Sequence, residues 1–579
     1  MTTTTAAPAT SAEPASASFA AHRAWATEII LALTALTFVA HAVRLLQRHT
    51  FWYDEAMLLV NIAEASWRDL AGPLPFYDQA APQLYLVLLK LLHGAFGLSE
   101  VWLRLPSLLA AVAAVWIVAR RMPGLTAIER ACAAAVLAGG ITFAYLTTET
   151  KQYTFEVLCS ALLMAVFASR HMTGTDDGRA ATTDANPYTS LAQLAVLIAL
   201  MLSASTFPLA AFAVGAVAIL ASVRRAADLK RLITPRLLSG GWVFAAAGVL
   251  YVIYYARHIK PAYEALLLNF GYTYQGFGFA RDASYPLWLA EKAWSIPESH
   301  YGFLALPLIA VAVLGTLKIR RRGVRYHTQF GALIATMIAL NLGGIYPLLP
   351  ARFSVFILPW IAVLAGVGIA RLLNSIDDDN LQSIAAGGVA LVVLFPAITY
   401  ILDPTTHQAR ASIDALRANP TAPIMVTVSG QPVYDLYVKA PTVPGADRCL
   451  APGVLGYTNR CRAMKAPGDG VMQGAATKWY LLNYAAIIGR GVPPVGFPGG
   501  FPGTAPQTFA DNYLDWLVSQ IPAGTPVTLF SAPHTEKDTD GDPLQARLKR
   551  MATVQRLVDE RTPASAVRAG QVDRVTRGR

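Results

Sequence analysis

The sequence predicts an α-helical polytopic membrane protein with about eleven transmembrane helices, followed by a C-terminal α/β domain. Three observations predict it. Of 579 residues, 54% are hydrophobic and 14% are charged, with a mean hydropathy of +0.42. A soluble chain of this size has no interior able to hide that much apolar surface. Apolar runs long enough to span a bilayer recur as far as residue 402, beyond which the chain turns polar and rich in Pro and Gly. The net charge of +11 is carried by short basic clusters between apolar runs. That is the pattern of cytoplasmic loops, and it argues against nucleic acid as a partner.

Residues 1–22 are dominated by Ala, Thr, Ser and Pro and are expected to be disordered. Arg23 and the apolar run 26–43 read as the first membrane helix. Ala40-His41-Ala42 resembles a signal-peptidase site, but many spans follow, and either way the next segment is delivered outside. Further runs lie near 102–119, 128–147, 153–169, 191–206, 208–222, 238–256, 303–317, 329–346, 353–370 and 383–402, with Phe207-Pro208 allowing a tight turn. The stretch Pro82–Gly97 is apolar but only about sixteen residues long, and it carries Lys90 and His93. If it spans, Arg120-Arg121, Arg224-Arg225, Lys230-Arg231 and Lys318 with Arg320-Arg321-Arg322 all move outside, against the positive-inside rule. It is therefore assigned to the first outside loop, 44–101, as an amphipathic or re-entrant piece. Asp54, Lys151, the loop 257–301 and Arg352 then share the outer side with the C-terminus.

The tail, 403–579, alternates helical and strand-like segments, which suggests a small α/β domain. Gln408–Asn419, Gln431–Val438 and 508–520 read as helices, Pro423–Val428 and Pro526–Ser531 as strands, and 440–505 as loop-rich. Cys132 and Cys159 fall in apolar runs as small core residues. Cys449 and Cys461 close a short loop containing Pro, Gly and Asn; in an extracytoplasmic tail a disulfide there is expected, contributing roughly 3 kcal/mol. No C-x-x-C pair exists, which argues against a zinc ribbon or thioredoxin-type site. No Walker loop, H-E-x-x-H or Rossmann fingerprint stands in a usable context, and no internal repeat is evident.

Several short motifs occur in order: Trp52-Tyr53-Asp54-Glu55, Asp78-Gln79-Ala80-Ala81-Pro82-Gln83-Leu84-Tyr85, Gly97-Leu98-Ser99-Glu100 with Arg104-Leu105-Pro106-Ser107, Glu149-Thr150-Lys151-Gln152-Tyr153, and Arg352 ahead of Leu358-Pro359. Over about the first 400 residues this set resembles the GT-C superfamily, the integral membrane glycosyltransferases that use polyprenyl-phosphate sugars. The bacterial branch of lipopolysaccharide-core, aminoarabinose and protein O-mannosyl transferases is the part it resembles most. The segment 408–438 also resembles the α/β tails of some of these enzymes. The resemblance implies a bacterial inner-membrane protein with its active site and tail in the periplasm. Its partners would be the bilayer, a polyprenyl-phosphate-linked sugar donor and a glycan, lipid or protein acceptor. Where relatives carry His-Pro-Pro or Lys-Pro, this chain has Ala81-Pro82-Gln83. No ligand motif therefore supports a divalent metal, and the cofactor stays open.

Asp54 is the candidate general base for an acceptor hydroxyl; its alternative role is N-cap of a helix beginning near Ala56, without Glu or Gln at Met57 to close a capping box. Glu55 would orient the acceptor or a metal. Asn61, Glu64 and Arg68 share one helix face, as in a helix lying in the membrane interface. Asp78 and Gln79 are candidates for substrate binding, with an ordinary loop acid as the alternative for Asp78. Arg104 pairs either with the donor phosphate or with Glu100. Lys151 and Arg352 are placed to stabilise charge on a departing phosphate, unless they snorkel at helix ends. Tyr346 would hydrogen-bond the same phosphate or sit in an aromatic belt. The loop 269–279 alternates Gly with aromatics, and its Tyr272 and Tyr274 would stack on sugar or anchor at the interface. The expected activity is inverting transfer of a hexose or pentose. The rivals are a flippase for a lipid-linked saccharide, disfavoured because the charges gather at one face and no duplicated halves are seen, and an inactive relative acting as an assembly partner.

Overall fold

The computed structural model describes residues 14–47, 49–76, 79–171, 198, 201–205, 210, 246, 248–261, 284–321, 326–349, 351–402, 409–418, 431–438 and 524, with strand segments 424–427, 471–473, 478–482, 526–531, 552–559 and 571–577. Asp78, Tyr272, Tyr274, Cys449 and Cys461 lie outside these, as do much of 191–256 and the helix expected at 508–520. The described helices are α1 Pro14–Leu46, α2 Tyr53–Glu64, α3 Trp67–Leu70, α4 Gln83–Phe96, α5 Glu100–Arg121, α6 Ala127–Gly139, α7 Ile141–Thr147, α8 Tyr153–His171, α9 Tyr285–Tyr301, α10 Ala305–Arg321, α11 Tyr326–Leu342, α12 Leu358–Leu373, α13 Asp379–Leu402, α14 Arg410–Ala418 and α15 Gln431–Tyr437.

Among the described residues five helical stretches are long and apolar enough to cross a membrane: Trp25–Leu46, Glu100–Arg121, Tyr285–Arg320, Val355–Leu373 and Asp379–Leu402. The pair α6 and α7, bent by 72°, makes a sixth if counted together. The chain is thus a multi-pass helical membrane protein, and the described part contains fewer spans than the eleven expected. Three boundaries differ from the sequence reading. Helix α1 begins at Pro14, inside the segment expected to be disordered, because its Ala-rich sequence favours helix. The run 128–147 breaks at Gly140, whose extended backbone ends α6. The stretch assigned to the outside loop 257–301 contains α9, which continues through a short 3-10 turn into α10.

The core centres on α12, which packs against α10 and α6. Glycine makes these approaches possible. A Cβ on Gly368 would fall 1.8 Å from the Val311 carbonyl oxygen, one on Gly315 1.8 Å from that of Leu364, and one on Gly366 2.4 Å from the Ala133 nitrogen. Small residues let membrane helices meet backbone to backbone, where lipid supplies no hydrophobic drive. Helix α1 is tied to α13 by Arg44, which donates to the carbonyls of Tyr400 (2.7 Å) and Ile401 (2.8 Å) and so satisfies the end of that helix.

A second apolar cluster covers one end of the bundle and joins α2, α4, α14 and α15. Helix α4 spans only about 21 Å, short of the roughly 30 Å hydrocarbon core, and shows a buried side (Tyr85, Leu86, Leu89) and an exposed one (Leu84, Val87, Leu91). Its Lys90 donates to the carbonyls of Ile62 (2.6 Å) and Ala65 (2.8 Å), closing the end of α2. Helix α2 does not lie in the interface with a polar face out. Asp54 through Ile62 are all buried, Asn61 bridges the Met57 carbonyl (2.9 Å) and both backbone groups of Phe76 (2.7 and 2.9 Å), and Arg68 belongs to α3.

Beyond residue 420 the described strands are β1 Ile424–Thr427, β2 Val471–Gln473, β3 Lys478–Leu482, β4 Pro526–Ser531, β5 Ala552–Asp559 and β6 Gln571–Arg577. They pair in the order β2-β3-β1-β4-β6-β5. β1 runs parallel to both neighbours, with Met425 opposite Tyr480 and Leu529, and the other pairings are antiparallel. β2 and β3 fall in the stretch read as loop-rich.

Candidate active site

The site is built from three stretches far apart in sequence: the N-terminus of α2, the turn 148–152 and the turn before α12. Trp52 precedes α2 with extended backbone. Glu55, in the first turn, accepts the Trp52 N–H at 3.2 Å. Glu55 is therefore the acid that satisfies the helix start, the role that stood as the alternative for Asp54. The amino end of the helix favours both carboxylates.

Asp54 is buried and sits between two cations. Lys151 Nζ lies 3.1 Å from Oδ1, and Arg352 pairs with Oδ2. Lys151 also donates to Gln79 Oε1 at 2.9 Å, while the Gln79 amide nitrogen rests on the Met57 sulfur at 3.3 Å. Burial holds the Lys151 ammonium below its ordinary range, and the Asp54 charge works against that shift. The Arg352 side chain is 34% exposed and that of Asp54 11%. The guanidinium is thus the solvent-facing member, the one able to reach an incoming anion.

Glu55 is fully buried, and Arg104 grips it at both oxygens, Nε to Oε1 at 2.8 Å and Nη2 to Oε2 at 2.6 Å. Arg104 also donates to the carbonyls of His49 (2.6 Å) and Thr50 (3.1 Å). The Thr150 N–H reaches Glu55 Oε1 at 2.7 Å. One carboxylate thus joins α2, α5 and the turn bearing Lys151. Arg104 pairs with Glu55 and not with Glu100, which is engaged by Arg410 and by the Tyr437 hydroxyl at 3.0 Å. The same turn is held from below by Ser107, just after Pro106 in α5, whose hydroxyl donates to the Lys151 carbonyl at 3.1 Å.

Tyr346 gives its hydroxyl proton to the Phe353 carbonyl at 2.6 Å, and the Asn341 amide holds the Tyr346 carbonyl at 3.0 Å. Tyr346 thus braces the turn that carries Arg352, its hydroxyl proton engaged by that backbone. Ala351 has φ of 57°, a left-handed conformation that costs a non-glycine residue about 1 kcal/mol or more. Its N–H donates to Ser299 Oγ at 2.8 Å, Ser354 Oγ donates to its carbonyl at 3.1 Å, and His300 Nε2 lies 3.0 Å from the same hydroxyl. Sequence reasoning missed Ser299, His300 and Ser354; the Ser-His pair before Tyr301-Gly302 was the available signal.

Among the described residues, no group of three or more His, Cys, Asp or Glu is placed to hold a metal ion. The basic residues Arg120, Arg121 and Lys318 lie at the far ends of α5 and α10. From Arg104 to Arg121 the helix rises about 25 Å, so the acid–cation cluster and these three basic residues occupy opposite ends of the bundle.

No protein-family model matches the chain, and no curated protein matches it in sequence. Among solved structures it is similar to ArnT from Cupriavidus metallidurans, in the apo state (TM-score 0.47) and bound to undecaprenyl phosphate (TM-score 0.43), each at 12% identity over 95% of this chain and 98% of that one. It is also similar to the Archaeoglobus fulgidus oligosaccharyltransferase tethered with an acceptor peptide, at TM-score 0.41 and 11% identity over 71% of this chain and 63% of that one. These are similarities only, and the functional reading rests on the residues of the site.

Proposed function

We propose that the chain is an inverting GT-C glycosyltransferase of the bacterial inner membrane, moving one hexose or pentose from a polyprenyl-phosphate donor to an acceptor hydroxyl on the periplasmic side. The observation that carries this is the buried Asp54 carboxylate flanked by Lys151 and Arg352 at one end of the helix bundle. In the proposed step the acceptor oxygen bonds to the anomeric carbon as the bond from that carbon to the phosphate oxygen breaks. The hydroxyl proton passes to Asp54. The departing polyprenyl phosphate takes the electron pair, and its growing charge is met by Arg352, released from Asp54, with Lys151 behind it. Glu55, Arg104 and Tyr346 position these groups. Residues 403–579 are read as a periplasmic α/β domain, with Asp78, Tyr272 and Tyr274 as further substrate contacts and Cys449–Cys461 as its disulfide.

A panel of labelled polyprenyl-phosphate hexoses and pentoses, offered to membranes containing the protein, tests the reading. A transferase moves label from the lipid into an acceptor fraction. A flippase relocates the intact donor, and an inactive partner does neither; either of those results removes the proposal.

A further inference from the structure

The extended stretch 49–52 leads directly into α2, whose Ala56 N–H donates to the Trp52 carbonyl at 2.8 Å. Side chains from elsewhere satisfy its backbone. Arg104 takes the carbonyls of His49 and Thr50, Glu55 takes the Trp52 N–H, and the Phe51 N–H donates to the Tyr437 hydroxyl at 2.8 Å. Tyr437 ends α15, in the tail segment that follows the membrane helices. It is buried, its ring stacks on Phe51 with centroids 6.1 Å apart, and its hydroxyl donates to Glu100 at 3.0 Å. The Arg104 guanidinium lies over the other ring, 4.8 Å from the Phe51 centroid. A parallel tie runs from the Ala409 N–H to the Thr50 hydroxyl at 3.1 Å.

We propose that the tail helices α14 and α15 are part of the frame of the active site, and that Tyr437 is a positioning residue that sets Asp54 in register with Lys151 through Phe51 and the Arg104–Glu55 pair. These tail helices are then required for the geometry of the site. The argument is one of connection. Tyr437 fixes Phe51, Phe51 and Glu55 fix Arg104, and Glu55, the residue after Asp54, accepts the Thr150 N–H beside Lys151. A buried N–H left without its acceptor loosens the local structure out of proportion to its size.

The inference rests on the transferase reading only for the name of the reaction, so its test uses no substrate. The full-length protein in detergent is labelled with acetic anhydride, and acetylation at Lys151 is read by mass spectrometry against Lys318, which is paired with Glu129 at the opposite end. Tyr437→Phe removes one hydroxyl and keeps the stacked ring. It is expected to raise labelling at Lys151 about fivefold, the factor that one lost buried hydrogen bond puts on a local opening equilibrium, with Lys318 unchanged. Arg410→Gln, which withdraws the charge holding Glu100, gives a smaller rise at Lys151 alone, and it decides the matter if the first variant does not fold. No change at Lys151, or an equal rise at both lysines, overturns the proposal. Loss of transfer in other variants leaves this result untouched, and the reverse holds as well.

Discussion

Arg104 and Glu55 show how one contact decides between two uses of the same residues. A fully desolvated ion pair gains little over an apolar pair of equal volume, but removing one partner strands the other. Arg104→Gln should therefore cost on the order of 3–5 kcal/mol, read as a large drop in thermal midpoint, while Arg120→Gln at the far end leaves it nearly unchanged. His49, whose carbonyl Arg104 holds, contributes a pH dependence. Burial, with Arg104 and then Arg44 nearby, lowers its imidazole from an ordinary 6.5 to about 4. Between those values the unfolded chain takes up a proton that the folded chain refuses, so stability falls as pH drops through the window and levels off below it. The slope of thermal midpoint against pH between 6.5 and 4 should be shallower in His49→Gln.

At the scale of elements, the seam of α12 against α10 and α6 is set by glycine. Gly368→Val places carbon where the Val311 carbonyl stands, and two helix backbones cannot yield as a flexible side chain does. The variant is expected to lose the monodisperse folded peak in detergent chromatography, whereas Gly388→Ala, with open space around it, keeps it. The turn before α12 stores strain of another kind. Ala351 is held left-handed by Ser299 and Ser354 so that the next residue, Arg352, points at Asp54. Strain of this sort persists where surrounding bonds over-determine the backbone, and it gathers at working sites.

Over the whole molecule, the sidedness argument from basic clusters and the geometry of the site bear on each other. Counting charges put Asp54, Lys151 and Arg352 on one face; the folded chain places them in contact. Composition and apolar run length made the membrane class legible, and the positive-inside rule kept α4 from being read as a span. Helix breaks were less legible, because Gly140 inside an apolar run carries no charge or polarity change to mark it. The pairing of Arg104 with Glu55 was hidden for a different reason. Glu100 stands four residues away on the same helix, the neighbour that local rules favour, while the partner chosen is 49 residues distant. Tyr437 lay further still from the stretch it completes, and no periodicity links a tail helix to a loop it braces.

The central claim is that the Asp54 carboxylate takes the acceptor proton while its neighbouring cations receive the phosphate. Asp54→Asn keeps the size and removes the charge. Membranes carrying it at wild-type abundance, supplied with the labelled lipid donor that the unaltered protein uses, should show transfer reduced by at least a hundredfold, the scale on which general bases act. Transfer within a few-fold of the unaltered protein would contradict the account.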